Sequence, residues 1–235
     1  MESLNTWFYI LIHNIKNGEQ VKSKKRVADH GEVFTNEREV NAMLDLVKHE
    51  TERIDARFLE PACGNGNFLA VVLQRKLAVV DSRYHKSQVE WERYAALAVS
   101  SIYGVDILED NTLECKARLF SIFSQRYSAL FDNECKDECA DSIRFILNRN
   151  ILWGDALDLK HPVTKVPIVF SEWSFVANNN IKRRDFELYK LLLPRNATPN
   201  TLFSDLGETA FIPDPIKTYP LINFLKLGND ATNHL

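Results

Sequence analysis

Residues Phe58 to Leu69 read Phe-Leu-Glu-Pro-Ala-Cys-Gly-Asn-Gly-Asn-Phe-Leu, an apolar approach, an acid, a glycine-punctuated turn and a second apolar run. Such a run predicts a buried strand over residues 56–59 with Glu60 at its carboxyl end. Gly64 and Gly66 then let the backbone pass close to a ligand before the next helix begins. A carboxylate beside that turn suits a ligand bearing hydroxyls or an ammonium better than a pyrophosphate. Two further apolar runs end in acids, Ser101 to Ile107 at Asp106 and Asn150 to Leu157 at Asp155. Taken singly, each acid reads equally well as a solvated strand terminus. Three acids ending three consecutive strands of one sheet would point into one crevice, where open parallel sheets bind ligands. Asp106 follows Glu60 by 46 residues, against about 20 in the dinucleotide fingerprint, so the spacing argues against an NAD site.

Four stretches resemble, in order, motifs X, I, II and III of the adenine-N6 DNA methyltransferases of restriction-modification systems. They are His30-Gly31-Glu32-Val33-Phe34-Thr35, with Asn36 where the family has proline, then the Glu60 turn, the Asp106 strand and the Asp155 strand. The resemblance implies an α/β, Rossmann-like SAM-dependent methyltransferase fold with a shortened C-terminal half, binding S-adenosylmethionine (SAM). By that resemblance Asp106 and its neighbour Ile107 hold the ribose end, Asp155 and Ala156 take the adenine amino group, and Glu60 lies near the methionine ammonium. The backbone of Ala62, Cys63, Gly64 and Asn65 wraps the carboxylate, and Val33, Phe34 and Thr35 close the methionine end. Phe34 reads also as an ordinary core aromatic.

The family carries Asn or Asp, two prolines and an aromatic after its fourth strand, to position the target amine and stack on the flipped base. Here the stretch reads Phe170-Ser171-Glu172-Trp173-Ser174-Phe175, with neither proline. Glu172 and Trp173 are the catalytic candidates, an amine acceptor and a stacking face. The competing reading makes Trp173 a core aromatic and Glu172 a strand-end charge. The implied activity is therefore adenine-N6 methylation of DNA, or a modification subunit working with a specificity subunit. Its rivals are a catalytically incomplete SAM-binding partner subunit and a methyltransferase for RNA or protein.

At 235 residues with 45% hydrophobic and 26% charged side chains, the chain suits one globular domain with extensions. The apolar stretch from Leu4 to Ile15 is too short and too interrupted for a membrane span or a convincing signal peptide. Cysteines 63, 115, 135 and 139 form no Cys-x-x-Cys pair and have no histidine at zinc-ligand spacing. Reduced thiols, a cytoplasmic location and no metal are expected. A net charge of −3 argues against a strong sequence-independent grip on nucleic acid. The basic clusters Lys22 to Arg26 and Lys182 to Arg184 read either as solvated faces or as DNA contacts, and affinity for DNA would be borrowed from a partner.

Residues 1–29 are read as an extension and linker, 30–193 as the SAM-binding domain and 194–235 as a proline-rich, irregular extension. Val40, Met43, Leu44 and Val47 predict an amphipathic helix from Asn36 to between Lys48 and Glu52. Further helices are predicted over 68–80, 87–99, 111–131 and 141–147. The acid-rich stretch 132–141 is expected to be a solvated loop. Val166 to Phe170 is expected to lie beside the first strand, across the switch point of the sheet.

Overall fold

The computed structural model describes residues 22–30, 32–33, 35–177, 179–192 and 213–229. Helices overlap each of the five stretches predicted from apolar spacing, and shorter ones form elsewhere. Helix α1 is Lys24–His30, α2 is Glu37–Leu46 and α3 is Lys48–Thr51. The side chain of Asn36 caps α2 by accepting from the Arg38 N–H, and Val40 and Leu44 turn inward. Strand β1 (Phe58–Glu60) leads through the glycine turn into α4 (Asn67–Tyr84), and α5 (Gln88–Ser100), capped by Ser87, leads into β2 (Ile102–Asp106). Helix α6 (Glu109–Phe131), a 3-10 turn (Asp132–Glu134) and α7 (Asp137–Asn150) then lead into β3 (Ile151–Trp153). Part of the acid-rich stretch is thus helical, because Cys139, Ser142 and Ile143 are buried faces of α7.

The three strands pair in the order β1-β2-β3, all parallel, with Glu60 opposite Gly104 and Asp106 opposite Trp153. This is an α/β arrangement compatible with a Rossmann-like fold, in which parallel neighbours are joined by helical crossovers. Alternate residues of β2 serve two cores. Ile102 belongs to the large core shared with α2 and α4–α7, whereas Tyr103 and Val105 join Ile168, Phe170 and Leu188 in a smaller one. At the amino ends of the strands, buried Lys76 of α4 donates to the carbonyls of Ile54 and Ala56 and to Ser101 Oγ at 2.6 Å, pinning the entries to β1 and β2.

The fourth apolar run does not lie beside β1 as expected. Strand β4 (Val169–Phe175) forms an antiparallel hairpin with β5 (Asn180–Glu187) in a separate sheet. A connection this short joins antiparallel neighbours, since a parallel pair needs a long crossover. Asn179 at φ 58° and the Val176 N–H to Asn180 carbonyl bond close that turn. Helix α8 (Leu188–Leu191) follows.

The proline-rich end is not merely an extension. Strands β6 (Lys217–Thr218) and β7 (Ile222–Asn223) pair with β5, and a 3-10 turn (Phe224–Lys226) buries Phe224. Within the stretch read as an extension and linker, Lys24–His30 form α1, whose Arg26 pairs with Glu32 and Asp110. In the second basic cluster Arg183 is 2% exposed and bonded to Asp185, and Arg184 pairs with Glu172. Both arginines are thus held by carboxylates of their own sheet. Among the described residues no helix is long and apolar enough to cross a membrane.

Candidate functional site

The crevice at the carboxyl ends of β1–β3 is built around the turn at residues 63–66. Gly64 has φ 53° and Gly66 φ 86°, the left-handed region that side chains avoid. A Cβ on Gly66 would also stand 2.7 Å from Cys115 Sγ of α6, so the turn presses against that helix. The Cys63 N–H donates to the Val105 carbonyl at 2.9 Å and the Gly64 N–H to Asp106 Oδ2 at 2.8 Å, stitching the turn to β2. The hydrogen bond with the neighbouring Cys115 thiol, and then burial, push the Cys63 thiol far up, so it is held neutral.

Asp106 is 7% exposed. Besides Gly64, it accepts through Oδ1 from the Leu108 N–H at 2.9 Å and Asn111 Nδ2 at 3.1 Å. A carboxylate offers about four acceptor positions, so one remains for a ligand. Glu60 stands half-buried at the end of the adjacent strand, accepting from the Ala62 N–H at 3.2 Å. Burial raises its carboxyl, and the Ala62 bond opposes the rise. The side-chain oxygen of Asn65 is buried without a donor, an acceptor in the turn that is costly to leave unmatched.

The third acid is arranged differently. Asp155 Oδ1 accepts from the Leu157 and Asp158 N–H groups at 2.8 and 3.3 Å, closing its own turn. The main chain around it continues the sheet, with the Gly154 N–H donating to the Asp106 carbonyl at 2.9 Å. Trp153 Nε1 donates to the Ile107 carbonyl at 2.9 Å and its ring packs on His161, giving that side of the crevice an aromatic wall. Ile107 is exposed, whereas Ala156 is half-buried against the smaller core.

On the other side, Thr35 meets the turn through its carbonyl, which accepts from Asn67 Nδ2 at 3.2 Å, and Asn67 Oδ1 accepts in turn from Arg118. Val33 is exposed, and Phe34 lies outside the described residues.

The structure thus brings Thr35, Glu60, Ala62, Cys63, Gly64, Asn65, Asp106, Ile107 and Asp155 to the carboxyl ends of β1–β3 and packs Ala156 on the smaller core. It does not bring Glu172 and Trp173 to them. Trp173 is buried against Phe145 and donates to Asn150 Oδ1 at 2.9 Å, while Asn150 Nδ2 donates to the Ser100 and Ile102 carbonyls. That places Trp173 at the amino ends of β2 and β3, because β4 runs down across the sheet instead of up beside β1. Glu172 accepts from Arg57 at 2.8 Å, Ser174 at 3.0 Å and Arg184 at 3.0 Å. Its carboxylate is a structural ion-pair centre beside an apolar cavity of about 270 Å³ lined by Phe58, Tyr103, Phe170 and Phe186.

Two residues at the site were not singled out from sequence. Glu32 and Asn111 bond to one another at 2.7 Å, and Asn111 reaches Asp106. A polar residue inside the first turns of a buried helix was the available signal for Asn111. No group of three or more His, Cys, Asp or Glu side chains gathers as a metal site among the described residues. The arrangement can accept hydrogen bonds from hydroxyls and an ammonium, while the N–H groups of Ala62, Cys63, Gly64 and Gly66 are already engaged within the protein. No protein-family model, curated protein or solved structure matches the chain.

Proposed function

We infer that this chain binds SAM in the crevice at the carboxyl ends of β1–β3 and serves as a methyltransferase-like subunit of a DNA-modification system. The observation that carries the reading is the tie between Gly64 and Asp106, which sets a left-handed turn and two adjacent strand-end acids around one space. The remaining acceptor position of Asp106 suits a ribose hydroxyl, and half-buried Glu60 suits the methionine ammonium. For Asp155, whose carboxylate closes its own turn, a bond to the adenine amino group would use a second lone pair.

Methyl transfer from a sulfonium calls mainly for alignment of the accepting atom. Glu172 and Trp173 are engaged at the opposite end of the sheet, so they do not supply that alignment, and the acceptor adenine is positioned by a partner subunit or by another part of the chain. This favours a modification subunit dependent on its assembly over a self-sufficient adenine-N6 methyltransferase.

Calorimetry with SAM and S-adenosylhomocysteine should give saturable heats and NAD a blank. Labelled-methyl transfer to pooled DNA, RNA and protein should then require the products of neighbouring genes. Absence of any heat with SAM or S-adenosylhomocysteine would sink the cofactor assignment. Transfer to DNA by the isolated chain would overturn the dependence on a partner, and transfer to RNA or protein alone would replace the acceptor.

A further inference from the structure

A polar network beside Asp106 joins two parts of the chain that are distant in sequence, residues 22–32 and 106–114. Arg26 of α1 forks onto Glu32, Nε to Oε2 at 2.5 Å and Nη2 to Oε1 at 2.8 Å, and its Nη1 reaches Asp110 Oδ2 at 2.6 Å. Lys22 donates to Glu114 at 2.6 Å and to Asp110 at 3.2 Å. Asp110 and Glu114 lie in the first two turns of α6, so α1 is clasped onto the start of the helix that follows Asp106. The clasp is not only ionic.

Its centre is Asn111, which is 1% exposed. Asn111 Oδ1 accepts from Lys22 at 2.9 Å and from Arg26 at 3.1 Å. Its Nδ2 donates to Glu32 Oε1 at 2.7 Å and to Asp106 Oδ1 at 3.1 Å. One amide therefore reads the clasp with its oxygen and the crevice acid with its nitrogen. Burial opposes ionisation of Glu32, but the donors of Arg26 and Asn111 outweigh it and hold its carboxyl below the ordinary range. Glu32 thus stays an anion, and the clasp stays charged at neutral pH.

We propose that Asn111 is a positioning residue that couples closure of the α1 clasp to occupancy of the crevice, so that a ligand seated against Asp106 is released only when the clasp opens. The proposal rests on the reading of the crevice as a SAM site. Its physical basis is that Asn111 cannot turn its amide over without facing Lys22 and Arg26 with a donor and the two carboxylates with an acceptor. Any movement of Asp106 toward a ligand is therefore felt by Glu32 and, through its fork, by α1. Ion pairs close the clasp, and salt weakens exposed ion pairs, so ligand release should quicken with ionic strength.

The test uses the full chain with S-adenosylhomocysteine as probe, following its release after dilution and the hydrogen exchange of the Lys24–His30 amides. In wild type, bound probe should slow exchange of those amides, and raising salt from about 0.05 to 0.5 M, which shortens the screening length severalfold, should speed release. Arg26→Gln removes the fork and part of the pairing at the protein surface. It should speed release on the order of tenfold, the equivalent of one charge-assisted bond, and flatten the salt dependence. In Asn111→Ala, at probe concentrations raised until the site is saturated, the probe should no longer protect Lys24–His30.

Equal protection of those amides in the Asn111→Ala variant, or release unchanged in Arg26→Gln, would overturn the coupling. Should the wild-type chain bind no probe, the SAM reading fails first and the clasp is judged in the free protein. There both variants should raise exchange of Lys24–His30 while leaving the amides of β2 protected, and unchanged exchange would overturn the clasp itself.

Discussion

Replacing Asp106 by asparagine keeps the size of the side chain and removes one acceptor oxygen. In the native site, Oδ2 takes the Gly64 N–H and Oδ1 takes the Leu108 N–H and Asn111 Nδ2. An asparagine must point its NH2 group at one of these two sets. The cheaper choice leaves its oxygen on Leu108 and Asn111 and sets a donor against the Gly64 N–H. That forfeits one charge-assisted bond, about 1.5–3 kcal/mol, and reduces two others to neutral strength. Neutralising a buried carboxylate also relieves desolvation, but three donors already solvate this one, so the loss wins and a net cost of about 2–4 kcal/mol follows. For a chain of this size that is a fall in Tm of roughly 5–15 °C. Thermal unfolding followed by circular dichroism measures it, and calorimetry with SAM should show affinity down at least tenfold as the Gly64 turn loosens. A variant that melts within about 1 °C of wild type would show that the turn is held by something other than Asp106.

Three further outcomes are expected. Gly64→Val forces a β-branched residue to φ 53°, a strain of about 1–3 kcal/mol; a folded variant that still binds SAM with wild-type affinity would make the turn a mere connection. Burial pushes the Lys76 ammonium down to about 7 from an ordinary 10.5, so between these values the unfolded chain binds more protons and stability should rise with pH. Urea titrations of wild type and Lys76→Met should therefore diverge by up to about 1.5 kcal/mol between pH 7 and 8.5, and parallel curves would refute the shift. Trp173→Phe leaves Asn150 Oδ1 without its indole donor and should lower stability by about 1–3 kcal/mol while leaving SAM affinity unchanged; a loss of affinity in a folded variant would put Trp173 back at the crevice.

Local chemistry was readable along the chain, and contacts made across it were not. Asn36 and Ser87 announce helix starts because a short polar side chain before an apolar period caps free N–H groups, and both act so here. Glu60, the glycine turn and Asp106 were legible because a strand end and a left-handed turn are properties of neighbouring residues. The destination of β4 was misread, because its apolar run fits either a parallel neighbour of β1 or one arm of a hairpin. The asparagine run at 178–180, a turn signal, was the clue favouring the hairpin. That choice carried Glu172 and Trp173 to the wrong end of the sheet. The basic clusters were ambiguous for a related reason. Arg26 is turned from solvent by Asp110, brought by α6, and Arg183 by Asp185 of its own strand together with Ser171 of β4, and neither pairing is visible in a run of basic residues.

Both outer strands of the parallel sheet, β1 and β3, are three residues long. The Phe58 N–H donates toward β2, to the Ser101 carbonyl, and the alternation of a strand then turns the Leu59 N–H and carbonyl outward. Among the described residues nothing pairs with that side of β1, so its edge amounts to one donor and one acceptor, at a residue that is 45% exposed, between Arg57 and Glu60. A foreign strand laid there would gain too few ladder bonds to hold, and it would meet a charge at either end. Brevity and flanking charge are means by which natural sheets avoid polymerising through their edges, so this chain can expose an apolar strand edge and still resist aggregation.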